Sequence, residues 1–143
     1  LTCKPDGFNN VGMTKDQFFD ASRDFPANES VADLVRFLHG RGDRIAIGTA
    51  RPLTRMAETI DWLDRNDIPY DTVMLSRGIE PSGVTKQAML QQLQMDYRMV
   101  GTMIDDSPYN IEGGQIQGVD TIELTTNAEY WTAHPEAVWA YGL

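Results

Sequence analysis

Two kinds of apolar spacing alternate along the chain. Apolar residues three or four positions apart, each series opened by a residue that favours helix starts, predict amphipathic helices. Those helices cover residues 14–22, 28–40, 52–66, 82–93 and 107–118. Short continuous apolar runs predict buried strands at residues 45–47, 72–75, 99–104 and 119–124. Strands and helices therefore follow one another in turn, which is the pattern of an α/β protein.

The alternation also predicts how the strands are arranged. Strands joined through helices form a parallel, Rossmann-like sheet with right-handed crossovers and flanking helices. We expect a single domain over residues 1–143. Residues 1–13 are expected to form a loop, and the aromatic tail at residues 127–143 is expected to pack on the core.

The composition narrows the class of protein. Apolar residues make up 41% of the chain and charged residues 23%, as in globular proteins. No run of about 18 apolar residues is present, which excludes a membrane-spanning helix. Cys3 is the only cysteine, which excludes an internal disulfide and favours a reducing cytoplasm. One cysteine and two histidines also argue against a structural zinc site.

The net charge of −9 argues against broad, non-specific capture of nucleic acid, because that affinity comes from neutralised phosphates. Four arginines nevertheless crowd one stretch of the acidic chain: Arg41, Arg44, Arg51 and Arg55. The sequence therefore leaves room for a small basic pocket.

The Asp105-Asp106 pair ends a predicted strand, and ligands of parallel sheets bind at the carboxyl ends of strands. Adjacent carboxylates repel each other unless a cation or hydrogen bonds offset the repulsion. Mg²⁺ is the expected cation, because it takes oxygen ligands and keeps several of its waters. A helix N-cap is the other interpretation, since aspartate favours helix starts. Both can hold, with one carboxylate in each role.

Three further residues suit an anion such as phosphate. Thr49 follows a predicted strand in a loop that offers a hydroxyl and backbone N–H groups, including that of Ala50. The planar guanidinium of Arg51 could reach the same phosphate. Lys86 comes early in its helix, where a cation opposes the helix dipole unless an anion is near. The alternatives are an ordinary turn threonine, a surface salt bridge for the arginine and a solvated surface lysine.

The order of these residues from about residue 14 to residue 125 resembles that of the haloacid dehalogenase (HAD) superfamily of phosphohydrolases. Thr49 and the arginine two positions later are similar to the second motif of that family. Lys86 is similar to the third motif, and the Asp105-Asp106 pair to the fourth. Within the superfamily, the chain most resembles the 3′-phosphatase domain of polynucleotide kinase.

The resemblance implies a HAD-type sheet and Mg²⁺-dependent hydrolysis of a phosphomonoester through an aspartyl-phosphate. The residues that it implies are Thr49, Lys86 and Arg51 for catalysis, Thr49, Ala50 and Lys86 for phosphate, and Asp105 and Asp106 for Mg²⁺. The segments that carry a cap domain in many family members are short here, so we expect a capless site. The expected ligand is a phosphorylated small molecule or a nucleic-acid 3′ end, with no membrane partner.

The family's first motif, Asp-x-Asp-Gly-Thr, is missing. The nearest string is Lys4-Pro5-Asp6-Gly7-Phe8, which places a lysine where the nucleophile belongs. We expect that the motif lies in a preceding segment or a fused domain, and a degenerate motif at Asp6 is the other explanation. The first strand of the family is central in the sheet. Without it, the two strands beside it lose a hydrogen-bonding partner. Residues 1–143 are expected to lack phosphatase activity by themselves.

Two other classes of function compete with an enzyme. A non-catalytic relative could keep the phosphate and metal contacts while lacking a nucleophile. A phospho-acceptor receiver domain also uses aspartate, threonine and lysine on a parallel sheet. In a receiver the acidic pair comes early and the lysine last, whereas here Lys86 precedes Asp105, which argues against that class.

Overall fold

The computed structural model describes residues 1–5, 7–77, 81–98 and 101–124. In these ranges helices and strands alternate as α1 Lys15–Ala21, α2 Glu29–Gly40, β1 Ala46–Pro52, α3 Met56–Arg65, β2 Thr72–Ser76, α4 Ser82–Tyr97, β3 Thr102–Asp105, α5 Pro108–Ile116 and β4 Asp120–Glu123. The predicted α/β class is confirmed. None of these helices combines the length and the apolar character needed to cross a bilayer.

Local capping explains where several helices begin and end. Thr14 and Gln17 form a capping box at the start of α1, in which each side chain accepts the backbone N–H of the other. Asn28 caps α2 by accepting the N–H of Val31 at 3.3 Å. The same helix ends at Gly40, as the sequence predicts. These boundaries depend on residues a few positions apart, which is why they could be predicted.

Three details of the sequence prediction are wrong. Thr49 lies inside β1 rather than in a loop after it, because the strand continues to Pro52. Pro52 ends that strand instead of opening a helix. A 3₁₀ helix, Leu53–Arg55, follows it, and the α-helix α3 starts at Met56. The fixed φ of proline also suits an extended backbone, and β-branched threonine favours one. The N-cap position of α4 is held by Pro81, and the predicted cap residue Ser82 is the first helical residue.

The strands pair in two groups. β3 and β4 are parallel, with Thr102 opposite Asp120 and Asp105 opposite Glu123. β1 pairs with β2, and the backbone N–H of Asp71 donates to the carbonyl of Ile45 at 2.8 Å, so the two strands start side by side. In the described ranges β1 and β3 do not pair with each other.

The chain divides into two compact units. Unit 1 consists of Leu1–Ile47 with Leu53–Val73, and unit 2 consists of Gly48–Pro52 with the residues from Met74 onward. A single domain over the whole chain stays a prediction, and the predicted tail at residues 127–143 lies outside the described residues. The predicted N-terminal loop carries one isolated antiparallel bridge, in which Thr2 pairs with Ala27.

The core of unit 1 is aromatic. The ring of Phe8 meets those of Phe18 and Phe25 edge-on, at centroid distances of 6.1 and 4.9 Å. Trp62 is buried beside them, and its Nε1 donates to the carbonyl of Phe25 at 2.9 Å. Edge-to-face pairs stabilise beyond the area that they bury. The rings therefore hold the N-terminal segment, α1 and α3 together.

In unit 2, α4 and α5 approach each other through glycines. A Cβ at Gly113 would lie 2.7 Å from the carbonyl oxygen of Gly83. A Cβ at Gly83 would lie 2.9 Å from the carbonyl oxygen of Tyr109. Backbone atoms cannot move aside as flexible side chains can, so this close packing requires glycine at both positions.

A charged cluster links α1 to the start of α3 in unit 1. The side chain of Arg55 is 12% exposed and contacts Asp20 at 2.7 Å, Asp16 at 3.1 Å and Glu58 at 3.1 Å. Arg23 contacts Glu58 at 2.5 Å. Hydrogen bonds from Arg23 and Arg55 hold the pKa of Glu58 below its ordinary value, and the bond from Arg55 lowers the pKa of Asp20. Such a network stabilises more than isolated surface pairs do.

Arg55→Met is expected to lower Tm by a few degrees near neutral pH, because it leaves three carboxylates together without their shared cation. A carboxyl whose pKa is lowered on folding adds stability above its unfolded pKa, 4.5 for Glu58, and loses it as the pH falls. The difference in Tm between Arg55→Met and wild type, measured by thermal unfolding, should therefore be smaller at low pH. Arg41→Met, which removes an exposed pair with Asp43, is the matched control. A constant difference at every pH would contradict the electrostatic account.

Gly113→Ala is expected to destabilise the protein by roughly 1 kcal/mol, because overpacking costs about 1–3 kcal/mol and the helix propensity of alanine returns only about 1 kcal/mol. Urea unfolding measures the difference. Gly40→Ala is the control, since a Cβ there meets nothing within 4 Å, and it should be neutral or stabilising. Equal stability of Gly113→Ala and wild type would contradict the close approach of α4 and α5.

Candidate functional site

Most buried polar side chains of the described residues lie in unit 2. Unit 1 contains Asn10, Ser22 and Thr59. Unit 2 contains eight: Thr49, Arg51, Ser76, Thr85, Lys86, Asp105, Ser107 and Asn110. Burying a polar group costs free energy unless it finds a partner, and burying a charge costs more. This concentration makes unit 2 the candidate site.

Lys86 and Asp105 form an ion pair that is nearly closed to solvent. Nζ of Lys86 lies 3.3 Å from Oδ2 of Asp105, and the two side chains are 7% and 4% exposed. The same ammonium donates to the backbone carbonyl of Gly48. A Cβ at Gly48 would lie 3.2 Å from the sulfur of Met89 and 3.9 Å from Nζ of Lys86, so α4 packs closely against β1 at this glycine. One ammonium thus contacts the third residue of β1 and the last residue of β3.

Two further donors hold the carboxylate of Asp105. The backbone N–H of Ser107 donates to Oδ1 at 2.9 Å, and Nδ2 of Asn110 lies 3.1 Å from each oxygen. Ser107 and Asn110 are fully buried. Together with Lys86, these groups give each carboxylate oxygen two donors, which is the number that its lone pairs accept.

The helix N-cap interpretation of the aspartates needs correction. Ser107 occupies the N-cap position of α5 and makes no side-chain capping bond. Asp105 lies two residues earlier and accepts the N–H of that N-cap residue, so it fixes the turn that leads into the helix. The hydroxyl of Ser107 is buried and has no hydrogen-bond partner within the described ranges.

Thr49 and Arg51 are buried in β1, 6% and 4% exposed. Oγ1 of Thr49 accepts the backbone N–H of Arg51 at 3.2 Å, so the hydroxyl lies along its own strand. Ala50 between them is partly buried, as is Asp106 beside Asp105. All six residues predicted for the site therefore belong to unit 2, and direct side-chain contact joins Lys86 with Asp105.

The described part of unit 2 buries three charged side chains. Among the described residues they are the guanidinium of Arg51, the ammonium of Lys86 and the carboxylate of Asp105. Two cations therefore accompany one carboxylate in the interior of a chain whose net charge is −9. Charge interactions are strong where water is excluded.

The donor chemistry also fits Mg²⁺. Asp105 and Asp106 are adjacent hard oxygen donors, and Mg²⁺ is commonly held by one or two carboxylates together with waters and substrate phosphates. The described residues contain no group of three or more histidine, cysteine or acidic side chains arranged to hold a metal ion. A cation on this pair would therefore depend on phosphate or water oxygens for its remaining ligands.

Sequence reasoning missed Asn110 and Gly48. Asn110 could have been found, because it stands one helical turn after Asp106 and can face back towards the strand end. Nothing in the sequence marks Gly48, since it acts through a backbone carbonyl that every residue has.

Asn110→Asp is expected to destabilise the fold by roughly 1–3 kcal/mol at neutral pH, because it replaces a buried donor with a second carboxylate beside Asp105. Two carboxylates this close hold a proton in the folded state that they release on unfolding. The loss should therefore grow as the pH rises. Asn110→Leu should cost a similar amount without that pH dependence, and the exposed Asn9→Asp should cost little. Urea unfolding at acidic and at alkaline pH measures these losses in the free energy of unfolding. An equal loss for Asn110→Asp at the two pH values would contradict the prediction.

Comparison with known proteins adds one likeness. No protein-family model matches the chain, and no curated protein matches it at a significant level. Among solved structures, the chain is similar to a hydrolase from Streptococcus pneumoniae TIGR4, with a TM-score of 0.60 and 19% identity over 90% of this chain and 68% of that one. At this identity the likeness concerns the fold alone. The chain shares the α/β fold of that hydrolase.

Proposed function

We propose that the chain carries the phosphate-binding and Mg²⁺-binding part of a phosphomonoester hydrolase of HAD type. The observation that supports this best is the position of Lys86. Its ammonium contacts Asp105 and the carbonyl of Gly48, the residue before Thr49. One ammonium thereby contacts residues of two strands that are far apart in the sequence. The fold shared with a hydrolase agrees with this proposal.

In the proposed mechanism, the hydroxyl of Thr49 and the N–H of Ala50 hold phosphate oxygens. Lys86 and Arg51 offset the negative charge that grows on those oxygens in the transition state. Because these donors are buried and water is excluded around them, their charges act more strongly than they would at the surface. Each such donor is worth roughly 10²–10³ in rate.

Asp105 and Asp106 would hold Mg²⁺, which supplies neutralisation of phosphate charge when bound. The role of Asn110 and of the Ser107 N–H is to keep the carboxylate of Asp105 in one orientation. A metal-coordinating carboxylate that is already held in one orientation loses little conformational freedom when it binds the cation.

The attacking group is proposed to be an aspartate in an Asp-x-Asp-Gly-Thr segment that residues 1–143 do not contain. Its carboxylate attacks phosphorus while the bond from phosphorus to the leaving alcohol breaks. Water then cleaves the aspartyl-phosphate and returns the carboxylate. No residue of the present chain is assigned to either attack.

The proposed substrate is a nucleotide or polynucleotide 3′-phosphate in the cytoplasm, as for the 3′-phosphatase of polynucleotide kinase. Only a short connection separates β2, which ends at Ser76, from α4, which begins at Ser82. A cap domain does not fit in so few residues, so the site stays open to a large substrate. The net charge of −9 limits contacts with a long phosphate backbone and favours recognition of an end.

Residues 1–143 are expected to bind inorganic phosphate in the presence of Mg²⁺ and not to hydrolyse p-nitrophenyl phosphate. In isothermal titration calorimetry, Lys86→Met and Arg51→Met should each weaken phosphate binding roughly tenfold or more, the value of a hydrogen bond to a charged group. Lys15→Met, in an exposed position of α1, is the matched control and should bind like wild type. Failure of the folded wild type to bind phosphate would contradict the proposal.

A longer chain with Asp-x-Asp-Gly-Thr ahead of residue 1 is expected to hydrolyse phosphomonoesters. In it, Asp105→Asn and Asp106→Asn should each lower kcat roughly 100-fold or more. Turnover by residues 1–143 alone would disprove the assignment of the nucleophile. Phosphate binding without turnover in the longer chain would favour the non-catalytic binding protein instead.

A further inference from the structure

We propose that Lys86 and a divalent cation exclude each other from Asp105, so that cation binding releases the Lys86 ammonium to the anionic ligand. This inference rests on the proposed function and assigns a regulation to the same site. The cation and the anion then bind together. Without either of them, Lys86 and Asp105 stay paired with each other.

The carboxylate of Asp105 is already saturated with donors from the described residues. Oδ1 accepts from the Ser107 N–H and from Asn110, and Oδ2 accepts from Asn110 and faces Lys86 at 3.3 Å. A carboxylate offers about four lone-pair positions, and these contacts use all of them. A cation that coordinates Asp105 therefore has to displace one donor.

Lys86 is the donor that can leave. The Ser107 N–H belongs to the backbone at the start of α5, and Asn110 is fully buried in the first turn of that helix. Moving either would move the helix. The ammonium of Lys86 stands on a flexible four-carbon stem, and a divalent cation repels it.

The displaced ammonium remains close to the proposed phosphate donors. Its other contact is the carbonyl of Gly48, one residue before Thr49 and three before Arg51 in β1. While Lys86 pairs with Asp105, the carboxylate cancels much of its charge. Once the pair is broken, that charge faces the anion. Cation and phosphate should therefore raise each other's affinity by the same factor.

The first test titrates Mg²⁺ alone into residues 1–143 by isothermal titration calorimetry. If Lys86 competes for Asp105, Lys86→Met should bind Mg²⁺ roughly tenfold tighter than wild type. Arg51→Met removes the same charge from the same unit, and among the described contacts the cation on the Asp105 carboxylate is Lys86 rather than Arg51. Equal tightening in both variants would mean a general field effect and would overturn the competition.

The second test titrates inorganic phosphate without Mg²⁺. Asp105→Asn removes the charge that holds Lys86, so it should bind phosphate more tightly than wild type. Asp106→Asn removes a neighbouring charge without touching that pair and should gain less. An equal gain in phosphate affinity for the two variants, or no gain in either, would overturn the inference.

A measurement on the unsubstituted protein guards against variants that fail to fold. The chain has three lysines, and mass spectrometry after acetylation can follow Lys86 beside the exposed Lys15. Saturating Mg²⁺ should raise the rate at Lys86 several-fold and leave Lys15 unchanged. Bound Mg²⁺ with an unchanged Lys86 rate would overturn the competition alone, whereas absence of both Mg²⁺ and phosphate binding would overturn the proposed function as well.

Discussion

The site depends on one ammonium group that is buried together with a carboxylate. Taking Lys86 and Asp105 out of water is costly, and the cost is offset only because the two charges meet at 3.3 Å and each has further hydrogen-bond partners. Removing either charge would leave the other buried without compensation. Lys86 therefore links the last residue of β3 to Gly48 in β1, two strands that do not pair with each other in the described ranges.

The rest of unit 2 is built to hold that pair in place. Asn110 and the Ser107 N–H orient the carboxylate from α5, and close packing of α4 on α5 through Gly113 fixes the helix that carries the lysine. Buried polar groups with complete partners make a rigid arrangement, while incomplete ones are costly. Unit 1 relies on different interactions, chiefly the aromatic cluster around Phe18 and the ion network of Arg55.

Much of the secondary structure could be predicted because its causes are local. The capping box of α1, the apolar spacing of α2 and the short apolar runs of β2 and β4 all act over a few residues. The prediction was wrong at Thr49 and Pro52, where Gly48 interrupts the apolar run and makes the strand look shorter than it is.

The candidate residues could be proposed from their order along the chain, in which a hydroxyl, an ammonium and an acidic pair follow one another. In the structure Asp105 ends a strand, whereas Thr49 lies inside β1 and Lys86 in α4. Which of them touch was decided only by the tertiary structure. The contacts of Lys86 with Asp105 and with the carbonyl of Gly48 join residues far apart in the chain. A backbone carbonyl has no sequence signature, and the partner of a flexible lysine depends on how neighbouring elements pack. Folding therefore turns a plausible set of residues into a specific ion pair.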